Sequence, residues 1–207
     1  SYLRKSWRGG QADARVFMQL GHVLLDLGRF SQARQVFYQA LLADRYNTRA
    51  ISGMGRAYLG YNKKRGRRDM TRIVSNYGDQ SKDRAPKAEA LHWLAVLNGV
   101  RDGSSEGHSH LQRAIDLVGE TPALLVERGR YLEALRRPRE ARRAYARALE
   151  RNSTYADAHL GLARTALGAG DDKAARTHLR RYIELRRTGD SVDWARAELD
   201  KLTDHAK

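Results

Sequence analysis

The sequence predicts an all-α fold of tandem helix pairs, on two observations: one apolar pattern recurs at fixed spacing, and the prolines fall at predicted helix boundaries. Residues 21–41, 129–149 and 163–183 align without gaps. Each opens on a small residue, places Ala twelve positions later and a ring or Leu four further on, and closes on an apolar pair nineteen and twenty positions after the first residue. In the first segment these are Gly21, Ala33, Phe37, Ala40 and Leu41. The second has Gly129, Ala141, Tyr145, Ala148 and Leu149, and the third Ala163, Ala175, Leu179, Tyr182 and Ile183. The last two segments begin 34 residues apart. Small residues at fixed points let two antiparallel helices approach closely while larger ones fill the gaps. Neither helix of such a pair buries its apolar stripe alone, so each repeat needs its neighbours.

The prolines agree with this division. Pro122 begins a helix after Thr121, a suitable N-cap, and Pro138 sits in the turn between two helices. Pro86 is expected just ahead of the third repeat, so that no proline interrupts a helix interior.

The pattern resembles the tetratricopeptide repeat, a helix–turn–helix unit of about 34 residues. The first repeat fits best, through Phe17, Leu20, Gly21, Leu24, Gly28 and Phe30 ahead of the residues already named. The resemblance implies a right-handed α-solenoid of about five helix pairs plus a C-terminal capping helix. Its repeats are placed at 14–47, 48–87, 88–121, 122–155 and 156–189, with the cap at 190–207. Residues 1–13 read as the end of a preceding helix or repeat.

The chain also departs from the family. The proline usual near the end of each repeat is replaced by Arg45, Gly119, Ser153 and Arg187. Repeat 2 is six residues too long, and the excess is expected at 61–66 and 78–81. That makes Lys63, Lys64, Arg65, Arg67 and Arg68 a basic insertion, followed by Met70, Ile73, Val74 and Tyr77 at helical spacing. Repeat 3 is expected to carry a loop at 102–107. In the cap, Ser191 is read as the N-cap of a helix that turns Val192, Ala195, Leu199 and Leu202 inward, with Trp194 packing it onto repeat 5.

Composition bounds the function. Hydrophobic residues make up 41%, a folding composition. Cysteine is absent, which excludes disulfides and thiolate chemistry. No run reaches the roughly 18 apolar residues of a membrane-spanning helix. The net charge is +15, and arginine supplies 31 of the 39 basic residues. That bias fits GC-rich bacterial coding and a plain basic surface, or else an anionic partner. A bacterial cytoplasmic or periplasmic protein, or a piece of a longer chain, is consistent with all of this.

Catalytic signals are weak. Gly53-Met54-Gly55 has Tyr58 where a dinucleotide loop needs a third glycine. His108 and His110 beside Glu106 open a helix, and His22, His92, His159 and His178 occur singly. The carboxylates are scattered. We therefore expect no catalytic residue, metal or cofactor, and a protein–protein interaction scaffold rather than an enzyme; the alternative is a nucleic-acid-binding helical repeat using the basic surface. By resemblance, the scaffold would serve a bacterial assembly, secretion, pilus or export machine.

The resemblance also implies a concave groove lined by the first helix of each repeat. Its expected contact residues are Arg56, His92, Val96, Val126, Arg130, Leu160, Arg164 and Leu167, with Leu25, Leu59 and Gly60 on the same face. Arg56, Arg130 and Arg164 share one repeat position. Either they grip carboxylates of an acidic partner segment, as the planar guanidinium suits, or they pair internally with Glu89, Glu127, Glu133 or Asp157. If exposed, Arg130 and Arg164 should tolerate charge reversal without loss of folding.

Overall fold

The computed structural model describes residues 14–78 and 80–204. The expected upstream helix at 1–13, with Trp7, lies outside the described residues. Among those residues the chain is all-α, without strands. Eleven helices follow in order: α1 Ala14–Asp26, α2 Phe30–Ala43, α3 Thr48–Tyr61, α4 Lys63–Ser75, α5 Ser81–Leu97, α6 Ser105–Val118, α7 Pro122–Ala134, α8 Pro138–Arg151, α9 Ala156–Leu167, α10 Asp172–Arg186 and α11 Asp190–Asp204. A short 3₁₀ turn covers Val100–Asp102. Contacts divide the helices into two compact units, one ending at Gly99 but taking in Ser105–Gly119, the other made of Val100–Ser104 and the chain from Glu120 onward.

In the first unit α1 packs on α2, α2 on α3, and α5 on α4 and α6. The Phe37 ring of α2 is wholly buried between two glycines, Gly21 of α1 and Gly53 of α3. A methyl group on either would stand 2.5 Å from the ring. This is the close approach that the small residues of the repeat anticipate. The next repeat varies it, since the Trp93 indole of α5 lies still closer to Gly55. Trp93 is buried and donates its indole N–H to Glu89 Oε1 at 2.9 Å.

Repeat 2 differs from its expected form. The segment read as a basic insertion is not a loop, because α4 starts at Lys63 and carries the whole cluster on helical turns. A single residue, Asn62, ends α3 and begins α4, and its side chain accepts from Arg65 N at 2.9 Å. α3 and α4 touch far less than α1 and α2 do. Gly66 permits the contact that remains, against Tyr58. Beyond α4, Tyr77 is buried and donates its hydroxyl to Arg45 O.

Two boundaries move as well. Helix α5 begins at Ser81, so Pro86 sits inside it and the repeat boundary expected at 87/88 falls within a helix. Residues 81–85 form an extra turn ahead of the proline. It is supported by Asp83, whose carboxylate is buried and accepts from Gly78 N at 3.1 Å. The loop expected at 102–107 is shorter, since Ser105, Glu106 and Gly107 are helical.

The second unit repeats the glycine arrangement. Tyr145 of α8 is wholly buried between Gly129 of α7 and Gly161 of α9. Around it Leu125, Val126, Ala141, Ala148, Ala158 and Leu162 form one core cluster. Thr121 caps α7 through a bond from Leu124 N at 3.3 Å, and Pro138 occupies the first turn of α8. The turn inside each pair takes a left-handed residue, Gly170 between α9 and α10 (φ 71°) and Arg136 between α7 and α8 (φ 57°). Arg136 thus holds a conformation that glycine adopts more readily.

A second cluster joins Leu160, Ala163, Ala166, Ala175, Leu179 and Tyr182 to Val192, Ala195 and Leu202 of α11. The last helix therefore covers the apolar side of α10, as a cap would. Two details of the expected cap are corrected. The helix starts at Asp190, so Ser191 is its second residue and not its N-cap. Trp194 is 36% exposed and does not seal the contact, because Val192 and Ala195 hold the inward positions.

Candidate functional site

The residues expected to line a groove separate into three kinds. Val126 is 1% exposed and belongs to the core around Tyr145; Val96, Leu160 and His92 are also buried. Leu167 packs partly against the terminal cluster. These five supply packing, which corrects their reading as contact surface. At the first-helix positions chosen, the apolar side chains turn toward neighbouring helices.

Arg130 and Arg164 form the second kind. Glu127, 3% exposed, accepts two bonds from Arg101 (Nε 2.7 Å, Nη2 2.5 Å) and a third from Arg130 Nη1 at 2.7 Å. The other end of the Arg130 fork reaches Asp157 at 3.1 Å, and Asp157 also receives Arg186 at 3.1 Å. Arg164 Nη2 donates to Glu133 Oε2 at 2.6 Å, where the Tyr145 hydroxyl also donates at 2.6 Å. Burial, together with Glu133, raises the Tyr145 phenol far above its ordinary value, so Tyr145 remains a donor. Both arginines are engaged by the protein's own carboxylates.

Arg56 is the third kind. It is exposed on α3 and has no acidic partner among the described residues. With Leu25, Phe30, Leu59 and Gly60 it lines a shallow hollow of about 420 Å³. Gly60 keeps the hollow open, because a methyl group there would stand 2.6 Å from the Phe30 ring. Sequence reasoning places all of these on the groove face except Phe30, which reaches the hollow from the first position of α2. A ring following the turn glycine Gly28 is the available signal. Of the basic cluster, Lys63, Lys64, Arg65 and Arg68 are exposed, while Arg67 is half-buried and donates to Leu97 O at 3.2 Å.

Family models described as tetratricopeptide repeat match residues 14–47 and 126–191. The chain belongs to the tetratricopeptide repeat family. No curated protein matches it. Among solved structures it is similar to a thermophilic tetratricopeptide repeat protein of Thermus thermophilus (18% identity, 92% of this chain and 99% of that one, TM-score 0.62). It is also similar to PilW, a type IV pilus biogenesis factor (19% identity, 93% and 87%, TM-score 0.60). Yeast Tom70 is matched over 99% of this chain but 43% of its own length (18% identity, TM-score 0.70). At these identities the likeness concerns the fold.

The tetratricopeptide segment 126–191 also contains a histidine pair. His159 of α9 and His178 of α10 face each other with Nδ1 atoms 3.1 Å apart, and His159 Nε2 lies 3.1 Å from Ser153 O. Only an N–H can approach that carbonyl, so Nε2 carries the His159 proton and its Nδ1 accepts from His178. Among the described residues no group of three or more metal-binding side chains exists, there or at His110, whose Nε2 is 3.9 Å from Glu106.

Burial holds both imidazoles below the ordinary histidine value of 6.5, and His159 lowers His178 further. A neutral pair of this kind contributes its full stability above that value. As pH falls below it, the unfolded chain takes up protons that the folded chain resists, and stability declines. Thermal melts between pH 7.5 and 5 should show a falling melting temperature in the wild type and a shallower fall in His159→Gln/His178→Gln. Parallel curves would remove the pair from the acid sensitivity of the fold.

Proposed function

We propose that this tetratricopeptide protein is an interaction module that holds a partner segment on the first-helix face of its N-terminal unit, at the hollow around Arg56. One observation carries the reading. Of the three arginines at the shared repeat position, Arg56 is the one without an internal carboxylate, and it stands beside the half-buried side chains of Phe30 and Leu59, with the buried Leu25 in the same lining. A guanidinium next to apolar side chains suits a segment with an acidic group adjoining a hydrophobic one. Service in a bacterial assembly, secretion, pilus or export machine is the finer part of this proposal, and it rests on analogy of fold.

The hollow is tested by placing a photo-crosslinking benzoylphenylalanine at position 59 in the producing cell, with position 143 on α8 as control. A discrete adduct should form at 59 and not at 143, and Arg56→Glu in the same chain should abolish it. Equal adducts at both positions, or an adduct unaffected by Arg56→Glu, would place partner binding elsewhere.

A further inference from the structure

A larger groove lies on a different face of the N-terminal unit, between the second helices α2 and α4. Its volume is about 590 Å³. From α2 it is lined by Arg34, Tyr38, Leu41 and Leu42, and by Arg45 two residues past the helix end. From α4 it is lined by Arg65, Asp69, Arg72, Ile73 and Asn76. Within the helices the two sets have the same spacing, i, i+4, i+7 and i+8, so one face of each helix forms each wall, with Arg45 and Asn76 beyond the helix ends. Met54 of α3 reaches the groove, and the buried Leu41 and Ile73 complete an apolar floor. α2 and α4 each pack mainly on other helices, α2 on α1 and α3 and α4 on α5, which leaves the space between them open.

One end is closed by the protein itself. Arg45 donates to Asn76 O at 3.3 Å and lies over the rings of Tyr46 and Tyr77. The remaining charge is unbalanced. Asp69 is the single carboxylate in the lining, and it is engaged by the Tyr58 hydroxyl and by Arg65 at 3.8 Å. Against it stand Arg34, which meets the Tyr58 hydroxyl through its side chain while its Nε is buried without a hydrogen-bond partner, and Arg72, exposed on the wall. Apolar side chains adjoin these cations in the open: Tyr38 is 41% exposed and Leu42 62%.

We infer that this groove is a second binding site, which takes an extended acidic peptide segment bearing at least one large apolar side chain. Eight residue steps of helix, from Arg34 to Leu42 and from Arg65 to Ile73, give the walls a length of about 12 Å, enough for about four residues of extended chain at roughly 3.3 Å each. Carboxylates on such a segment would meet the Arg34, Arg65 and Arg72 guanidiniums, and its apolar residue would cover Tyr38 and Leu42. A groove open along its length suits a chain better than a compact small molecule. The lone phenolic ring exposed in it offers less stacking surface than a single-stranded nucleic acid needs, which is one ring per base.

The probe is a fluorescein-labelled, end-blocked peptide, Asp-Glu-Phe-Leu-Asp-Glu, titrated by anisotropy with the full chain at low salt. It should saturate, and the neutral peptide Ala-Ser-Phe-Leu-Ser-Ala should bind at least tenfold more weakly. Arg65→Gln/Arg72→Gln alters two exposed side chains and should raise the Kd at least tenfold. Leu42→Ser should weaken binding without changing charge, and Arg139→Gln/Arg143→Gln on α8 should leave it within twofold. The inference is overturned if the acidic peptide fails to saturate, if both double variants lose affinity equally, or if a thymidine hexanucleotide binds more tightly than the acidic peptide. Arg56→Glu separates this site from the hollow, since it should leave the acidic peptide bound.

Discussion

Gly161→Ala lowers the stability of the chain by about 2 kcal/mol, although alanine is the better helix former. The substitution gains about 1 kcal/mol in helix propensity, and overpacking a tight core costs about 1–3 kcal/mol. The contact geometry decides between them. A methyl group at position 161 would stand 2.5 Å from the Tyr145 ring, and the ring cannot retreat because Gly129 confines its opposite side. The overpacking cost therefore sits at the upper end of its range. Gly53→Ala should behave alike, since Phe37 is confined by Gly21 and Gly53 in the same way. Gly168→Ala is the control, with φ −64° and no atom outside its neighbours closer than 3.6 Å. It should leave stability unchanged or raise it by up to about 1 kcal/mol. Urea midpoints compare the three, and a Gly161→Ala midpoint equal to that of Gly168→Ala would show that the ring is not confined.

These glycines mark how far the sequence can be read. A small residue in the first helix and a ring sixteen positions later are visible as spacing, so the helix pairs and their core are legible from Gly21 and Phe37 or Gly129 and Tyr145. The second glycine against each ring comes from the following repeat, and no local pattern announces it. Repeat 2 misleads because its extra residues suggest a loop, whereas Asn62 caps a new helix at once and the surplus length extends the start of α5. Lys and Arg in Lys63–Arg68 favour a helix, but Gly66 among them opposes it and masks that preference in the sequence.

The site is less legible than the fold. Repeat position puts Leu25, Arg56, Leu59 and Gly60 on one face, and they line one hollow, but it cannot say whether a side chain is already engaged. Arg56, Arg130 and Arg164 hold equivalent positions and differ only in whether the adjoining helices present a carboxylate: Glu127 and Asp157 to one, Glu133 to another. The groove between α2 and α4 escapes a sequence reading for a related reason. Its matched spacing is written in the sequence, yet which helices stand on either side of it is set by the tertiary packing.

Glu127→Ala should be among the most damaging single substitutions in the C-terminal unit, costing about 3–5 kcal/mol. The Glu127 side chain is 4% exposed, and it neutralises Arg101 and Arg130, the latter only 18% exposed. Removing it leaves two cations facing each other, one of them with little access to water. The Arg137–Glu140 pair supplies the comparison, with equally short bonds of 2.6 and 2.7 Å but both side chains about half exposed. Glu140→Ala should cost less than about 1 kcal/mol, because water replaces what the partner provided. The same reasoning reverses the sequence-based expectation for Arg130→Glu with Arg164→Glu. The first change would set a carboxylate against Glu127 and Asp157, and the second would set one against Glu133 beside the Tyr145 hydroxyl. The double variant should lose cooperative unfolding in the C-terminal unit and so cannot report on partner binding. Circular dichroism melts of Glu127→Ala, Glu140→Ala and the double reversal check all three. Equal losses in the two alanine variants would mean that burial does not set the strength of these pairs, and a cooperative melt in the double reversal would return both arginines to the surface.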